Sequence, residues 1–134
     1  HSLPDELPTG NIIEHLLQEG HNVFLPVING ENIVFRQYID AQCLRKEGKF
    51  GIAEPQNSNI LPFNEPFVVI TPGIAFTATG QRIGRGGGYY DRFFAQCKSK
   101  NASFYTIGIA YKCQQRQTLP VESFDVEMDC VYFG

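Results

Sequence analysis

Apolar residues recur along this chain in two rhythms. Between Thr9 and Gly20 they fall at Ile12, Ile13, Leu16 and Leu17, a single helical stripe with Thr9 at the N-cap position and Gly20 just past the last turn. Asn22-Val23-Phe24-Leu25-Pro26-Val27 then reads as a buried strand. An Asn29-Gly30 turn returns the chain into a second strand over Glu31 to Tyr38, where Ile33, Phe35 and Tyr38 stand among polar neighbours. Periodicity fades from Asp40 to Pro66, which Gly48, Gly51, Pro55, Pro62 and Pro66 punctuate. This predicts a long irregular segment over a sheet edge, with Phe50 and Glu54-Pro55 as its distinctive residues.

The pattern resumes at Phe67-Val68-Val69-Ile70, predicted as the central strand and closed by Thr71-Pro72-Gly73. Ile74-Ala75-Phe76-Thr77 leads into a glycine-rich stretch from Gly80 to Arg92. After Asp91, the residues Phe93, Phe94 and Cys97 predict a short amphipathic helix that ends in Lys98-Ser99-Lys100-Asn101, whose cations suit a helix C-terminus. Phe104 to Tyr111 is a further strand, Lys112 to Thr118 a polar connection, and Cys130-Val131-Tyr132-Phe133 a last strand. Alternation of strand and helix predicts an α/β protein, a three-layer, Rossmann-like sandwich around a mainly parallel sheet, in one domain over residues 1–134. The chain has no internal repeat and no low-complexity tract.

Charge narrows the partners. With 11 Lys and Arg against 14 Asp and Glu, the net charge of −3 excludes a general nucleic-acid surface, so any anion site must be local. No apolar run has the length of a membrane span and no secretory signal is present, so a soluble, cytoplasmic protein is expected. Cys43, Cys97, Cys113 and Cys130 are widely spaced, without a Cys-x-x-Cys pair, and are expected to be reduced residues without chemistry. His15 and His21 read as surface residues, and His1 can be judged only by position.

The candidate chemistry lies in Gly80-Gln81-Arg82-Ile83-Gly84-Arg85-Gly86-Gly87-Gly88-Tyr89-Tyr90-Asp91-Arg92. Glycines let backbone N–H groups approach a phosphate, Arg82 and Arg85 supply cationic forks, and the following helix adds its dipole. Asp91 sets a carboxylate beside that site, as a divalent ion carried by a nucleotide requires. Three consecutive glycines are more often a flexible turn, and no Lys-Ser or Lys-Thr follows to make a Walker A loop. Two Arg, two Tyr and an Asp in register with a strand end weigh against slack alone.

Taken together, Leu25-Pro26, Glu54-Pro55, Thr71 to Phe76, the loop Gly80 to Arg92, Gly108-Ile109-Ala110 with Gln114 or Gln115, and Leu119-Pro120 followed by Asp125 resemble the 5-formyltetrahydrofolate cyclo-ligases, or 5,10-methenyltetrahydrofolate synthetases. The resemblance runs from about Asp5 to Val131. It implies a sheet like that of sugar-phosphate isomerases and CoA transferases, and an ATP- and Mg2+-dependent reaction on 5-formyltetrahydrofolate, polyglutamylated or not. ATP phosphorylates the formyl oxygen, nitrogen 10 attacks the formyl carbon, and phosphate departs to leave the 5,10-methenyl bridge.

The resemblance also assigns residues. Arg82, Ile83, Gly84, Arg85, Gly86, Gly87, Gly88, Tyr89 and Tyr90 would hold ATP, with Arg85 and Tyr89 catalytic. His1, Glu6 and Phe50 would join Arg85, Gly86, Gly87, Gly88 and Tyr89 around the folate, and Asp91 and Asp125 would hold the metal. A monomer or weak dimer is expected, without nucleic acid or membrane. Two departures stand out: family members begin with a further helix and strand, the helix carrying basic residues, and Thr77 stands where the family has Asp. A catalytically silent module that binds folate or nucleotide is the alternative reading. A sugar-phosphate or acyl-CoA enzyme is a third, because a shared sheet does not settle function.

Overall fold

The computed structural model describes residues 6–40, 44–45, 54–55, 59–120, 122 and 125–134. Chain packing divides it into two compact units, His1–Pro62 and Phe63–Gly134. In the first, α1 (Gly10–Gln18) buries Ile13, with Leu16 and Leu17 packed around a cluster completed by Val23, Leu25 and Tyr38. Gly20 follows the helix in the left-handed region, as its position after the apolar stripe predicts. Thr9 sits at the N-cap position with backbone near helical values and makes no side-chain cap.

β1 (Val23–Asn29) and β2 (Asn32–Tyr38) form an antiparallel hairpin in which Val23 faces Tyr38 and Asn29 faces Asn32. Gly30 supplies the positive φ of 65° that the tight turn needs. Two short strands, β3 (Leu44–Arg45) and β4 (Glu54–Pro55), pair antiparallel within the segment expected to be irregular. Glu54 is buried, and its Oε2 accepts the Ile28 amide at 3.0 Å, which satisfies an N–H on the outer edge of β1.

The second unit holds the parallel sheet, in the order β5 (Phe67–Thr71), β8 (Phe104–Ala110), β9 (Cys130–Phe133). Both pairings are parallel, with Phe67 opposite Phe104 and Ile107 opposite Cys130. β8 is therefore the middle strand of the three, where the sequence placed β5. Between β5 and β8 the chain makes a small antiparallel hairpin, β6 (Ala75–Phe76) with β7 (Arg82–Ile83), and then α2 (Tyr89–Ser99). α2 begins at Tyr89, three residues earlier than a start after Asp91, with Gly88 in the left-handed region as its N-cap.

One face of α2 closes this core. Phe93, Phe94 and Cys97 are buried, and Phe94 stacks on Phe104 of β8 at 5.8 Å and 4°. Phe76 is wholly buried and fits between two glycines: a Cβ on Gly73 would lie 2.9 Å from its Cζ, and one on Gly108 would lie 2.6 Å from its Cε1. β9 is tied to β8 at its entry, where the Asp129 carboxylate accepts both the amide and the hydroxyl of Thr106, at 2.7 and 3.1 Å. Among the described residues, Cys97, Cys113 and Cys130 are free thiols, and His15 and His21 are exposed. No helix among the described residues is long and apolar enough to cross a membrane.

Candidate functional site

Every part of the loop Gly84–Gly88 is set by the elements on either side of it. β7 enters from the hairpin and α2 leaves, and two further bonds fix the hairpin to the carboxyl end of the sheet. Ile74 N donates to Ile83 O at 2.8 Å, and Arg82 Nε donates to Pro72 O at 2.7 Å in the turn that leaves β5. The loop therefore stands at the edge of a parallel sheet where ligands bind in α/β proteins. Gly86 and Gly88 have φ of 90° and 70°, a backbone that L side chains rarely adopt.

The glycines differ in what surrounds them. A Cβ on Gly84 would lie 3.0 Å from Arg82 Nη2, one on Gly87 would lie 2.8 Å from the Tyr89 ring, and one on Gly88 would lie 2.6 Å from Arg92 Nη1. A Cβ on Gly86 would meet nothing within 4 Å among the described residues. Arg92 also stands 5.1 Å above the Tyr89 ring. Three glycines thus make room for side chains of the loop's own flanks, while Gly86 faces open space among the described residues. Arg85, beside it, is exposed.

Tyr90 points the other way, to Phe94 at 6.2 Å and to the Arg82 guanidinium at 5.4 Å. Arg82 is half-buried as a residue, but its side chain is only 8% exposed, and its Nη1 lies 3.6 Å from Asp91 Oδ1. Asp125 Oδ2 accepts the Glu122 amide at 2.7 Å, a local turn. Among the described residues no group of three or more His, Cys, Asp or Glu side chains gathers as a metal cage. Glu6 is half-buried just before α1 in the first unit, and His1 and Phe50 lie outside the described residues.

Thr77, which departs from the resemblance, is 1% exposed, and its hydroxyl oxygen accepts the Gln81 amide at 3.0 Å while also bonding to the Thr79 hydroxyl at 3.0 Å. The hydroxyl shapes the hairpin turn, a task that any short side chain with an acceptor oxygen performs. Sequence reasoning did not find this, nor the work of two glutamines. Gln114 accepts the Tyr111 amide at 2.8 Å and donates to the carbonyls of Gly73 and Ile74 at 2.9 and 3.0 Å, and Gln81 accepts the Leu119 amide at 3.3 Å. A glutamine with polar neighbours in sequence carries no signal that it spans forty residues. Beyond the hairpin turn, an open groove of about 520 Å³ is lined by Thr77, Thr79, Lys112, Gln115, Arg116 and Gln117.

Comparison with known proteins places this arrangement. The signature of the 5-formyltetrahydrofolate cyclo-ligase family matches residues 1–134. A 5-formyltetrahydrofolate cyclo-ligase of Haemophilus influenzae is 37% identical over 99% of this chain, and that of Escherichia coli 35% identical over 97%. The chain spans 72% of the length of each. The solved 5,10-methenyltetrahydrofolate synthetase of Aquifex aeolicus superposes with a TM-score of 0.79 at 28% identity, over 98% of this chain and 64% of that one. A second synthetase structure, from Mycoplasma pneumoniae, shares the fold at a TM-score of 0.66 and 24% identity. With the signature spanning the whole chain and relatives more than one third identical along nearly all of it, this chain belongs to the 5-formyltetrahydrofolate cyclo-ligase family.

Proposed function

We propose that this chain closes the ring of 5-formyltetrahydrofolate to 5,10-methenyltetrahydrofolate with ATP, releasing ADP and phosphate. The observation that carries the reading is the loop Gly84–Gly88, held between β7 and the first turn of α2 with the Gly86 backbone open and Arg85 exposed beside it. Family membership supplies the substrates, and the loop supplies a place for the triphosphate.

The chemistry asks for alignment more than for covalent help. The formyl oxygen attacks the γ-phosphorus and ADP leaves; nitrogen 10 then attacks the formyl carbon, and the carbon–oxygen bond breaks with phosphate as the leaving group. In this reading the loop backbone amides and Arg85 neutralise charge on the transferring phosphoryl group, and the N-terminus of α2 adds its dipole. Tyr89, packed over Gly87 and under Arg92, walls the site and limits water. Ile83 and Tyr90 complete the nucleotide loop from its inner side. Glu6, His1 and Phe50 are proposed for the folate, Glu6 through hydrogen bonds from the pterin N–H groups.

The residues present fit a cation that arrives with the nucleotide. Asp91 and Asp125 each have a protein partner already, so a metal would rest on phosphate oxygens plus one or two carboxylates, the usual magnesium arrangement. Mg2+ bound there would spread the negative charge of the triphosphate. A cytoplasmic monomer or weak dimer, acting on mono- or polyglutamylated folate, completes the proposal.

The test is direct. Purified chain, ATP, Mg2+ and 5-formyltetrahydrofolate should give an absorbance rise from the methenyl product. Tight folate binding with no ATP-dependent product would replace this reading with that of a silent binding module.

A further inference from the structure

Arg82 stands on β7 at the entry to the loop and Arg85 within it, and their exposure differs. Its guanidinium group is engaged by several partners. Nε donates to Pro72 O at 2.7 Å, Nη1 lies 3.6 Å from Asp91 Oδ1, and Cζ stands 5.4 Å from the Tyr90 ring centroid. Gly84 leaves room for Nη2, since a Cβ there would come within 3.0 Å of it. These contacts join the turn after β5 to the first turn of α2, with the start of the glycine loop lying close against the same group. A side chain only 8% exposed has little surface left to offer a ligand.

We propose that Arg82 is the positioning residue of the nucleotide loop: its guanidinium pins both stems of Gly84–Gly88 to the carboxyl end of β5 and holds Asp91 in place, so that Arg85 and the Gly86 backbone meet the phosphates. The inference rests on the proposed ATP reading and deepens it. A planar fork suits the task because one group must satisfy a carbonyl, a carboxylate and an aromatic face at fixed angles, which an ammonium on a flexible stem does not do. A buried cation is tolerated because those partners replace its water. Gly84 follows from the same geometry, since any larger residue would press on Nη2. The ion pair also keeps Asp91 oriented toward the loop rather than swinging into solvent.

Hydrogen exchange in the ligand-free chain tests this without any turnover. In Arg82→Met and Arg82→Lys, amides of the peptide spanning residues 83–91 should exchange at least about tenfold faster, the scale of losing a bond to a charged group. Unchanged exchange in both Arg82 variants would overturn the proposal. If Arg82→Met fails to fold by circular dichroism, Gly84→Ala, which disturbs Nη2 and keeps the arginine, should show the same acceleration, and normal exchange there would count equally against it.

Kinetics then separate positioning from ligand contact. Arg82→Lys should be no better than Arg82→Met, with kcat down on the order of 100-fold, the scale for a reacting group misplaced by about 1 Å, and KM for ATP little changed. Arg85→Lys should instead recover part of the KM lost in Arg85→Ala. Restoration of activity by Arg82→Lys would mean that residue 82 acts on the ligand as a point charge. A chain with no turnover at all would sink the ATP reading, and the exchange result would still decide the role of Arg82.

Discussion

Gly108→Ala sets two opposed effects against each other at one atom. In a strand interior, replacing glycine with alanine stabilises by about 0.5–1 kcal/mol, because the unfolded chain loses freedom. Gly108 has no positive φ to forbid the change. Its space does. The new Cβ would lie 2.6 Å from Phe76 Cε1 and 2.9 Å from Cδ1, with Met128 Cγ at 3.3 Å. The ring cannot retreat, since Gly73 closes on its Cζ from another side and Phe76 is wholly buried. Overpacking of this kind costs about 1–3 kcal/mol, so the clash wins and the net loss should be about 1–2 kcal/mol.

Urea unfolding reads this as a midpoint lowered by about 0.5–1 M at unchanged slope. Thermal unfolding should fall by about 4–8 °C at roughly 4 °C per kcal/mol for a chain of this length. Phe76→Leu supplies the control: it leaves a gap by itself, but in the double variant the smaller side chain accommodates the alanine methyl. The two changes should therefore couple by about 1 kcal/mol or more in the favourable direction. A Gly108→Ala midpoint at or above that of the unaltered chain would refute the reasoning, as would additivity of the pair.

Other outcomes follow from single contacts. Arg85→Ala should cost about 2–4 kcal/mol of transition-state stabilisation in kcat/KM for ATP, and an unchanged rate would remove Arg85 from the site. Thr77→Val keeps the shape but leaves the Gln81 amide without its hydroxyl acceptor, which should cost about 1–3 kcal/mol in urea unfolding, whereas Thr77→Asp, with an acceptor oxygen, should cost less. Asp129→Ala should unfasten β9 from Thr106 at a cost of about 1.5–3 kcal/mol, read the same way. Burial pushes the Cys97 thiol up to about 11 from an ordinary value of 9.0. The folded state then binds its proton more tightly than the unfolded state, so stability should decline as pH rises from about 9 to about 11. In Cys97→Ala that part of the decline should vanish, and a pH profile identical to that of the parent chain would contradict it.

Where local pattern and packing agree, the sequence was enough. The stripe Ile12, Ile13, Leu16 and Leu17 with Gly20 after it gives α1, and Asn29-Gly30 between apolar runs gives the β1–β2 hairpin. The α/β class and the parallel pairing of β5 with β8 follow from a helix lying between two strands. The middle place of β8 was not legible, because strand order is decided by long-range pairing and both runs are equally apolar. The β6–β7 hairpin escaped for another reason. Two-residue strands leave no period to read, and this hairpin is held by a local bond from the Gln81 amide to Thr77 and by bonds of Gln81 and Gln114 to distant backbone. Of the expectations for the folate, Glu6 is half-buried before α1, while His1 and Phe50 lie outside the described residues.

The glycine loop shows the limit most sharply. Its composition announces an anion site, but glycine is equally the residue that lets a neighbour come close, and a run of letters does not say which neighbour. Distances do. Gly84, Gly87 and Gly88 give their space to Arg82, Tyr89 and Arg92, and Gly86 gives its space to nothing among the described residues. The same division separates Arg82, whose side chain is 8% exposed beside Pro72, Asp91 and Tyr90, from the exposed Arg85. A loop in which every glycine and arginine faced the ligand would have to order itself around each incoming nucleotide. One whose stems are already pinned meets the phosphates with less left to arrange, and preorganised donors stabilise developing charge without that cost.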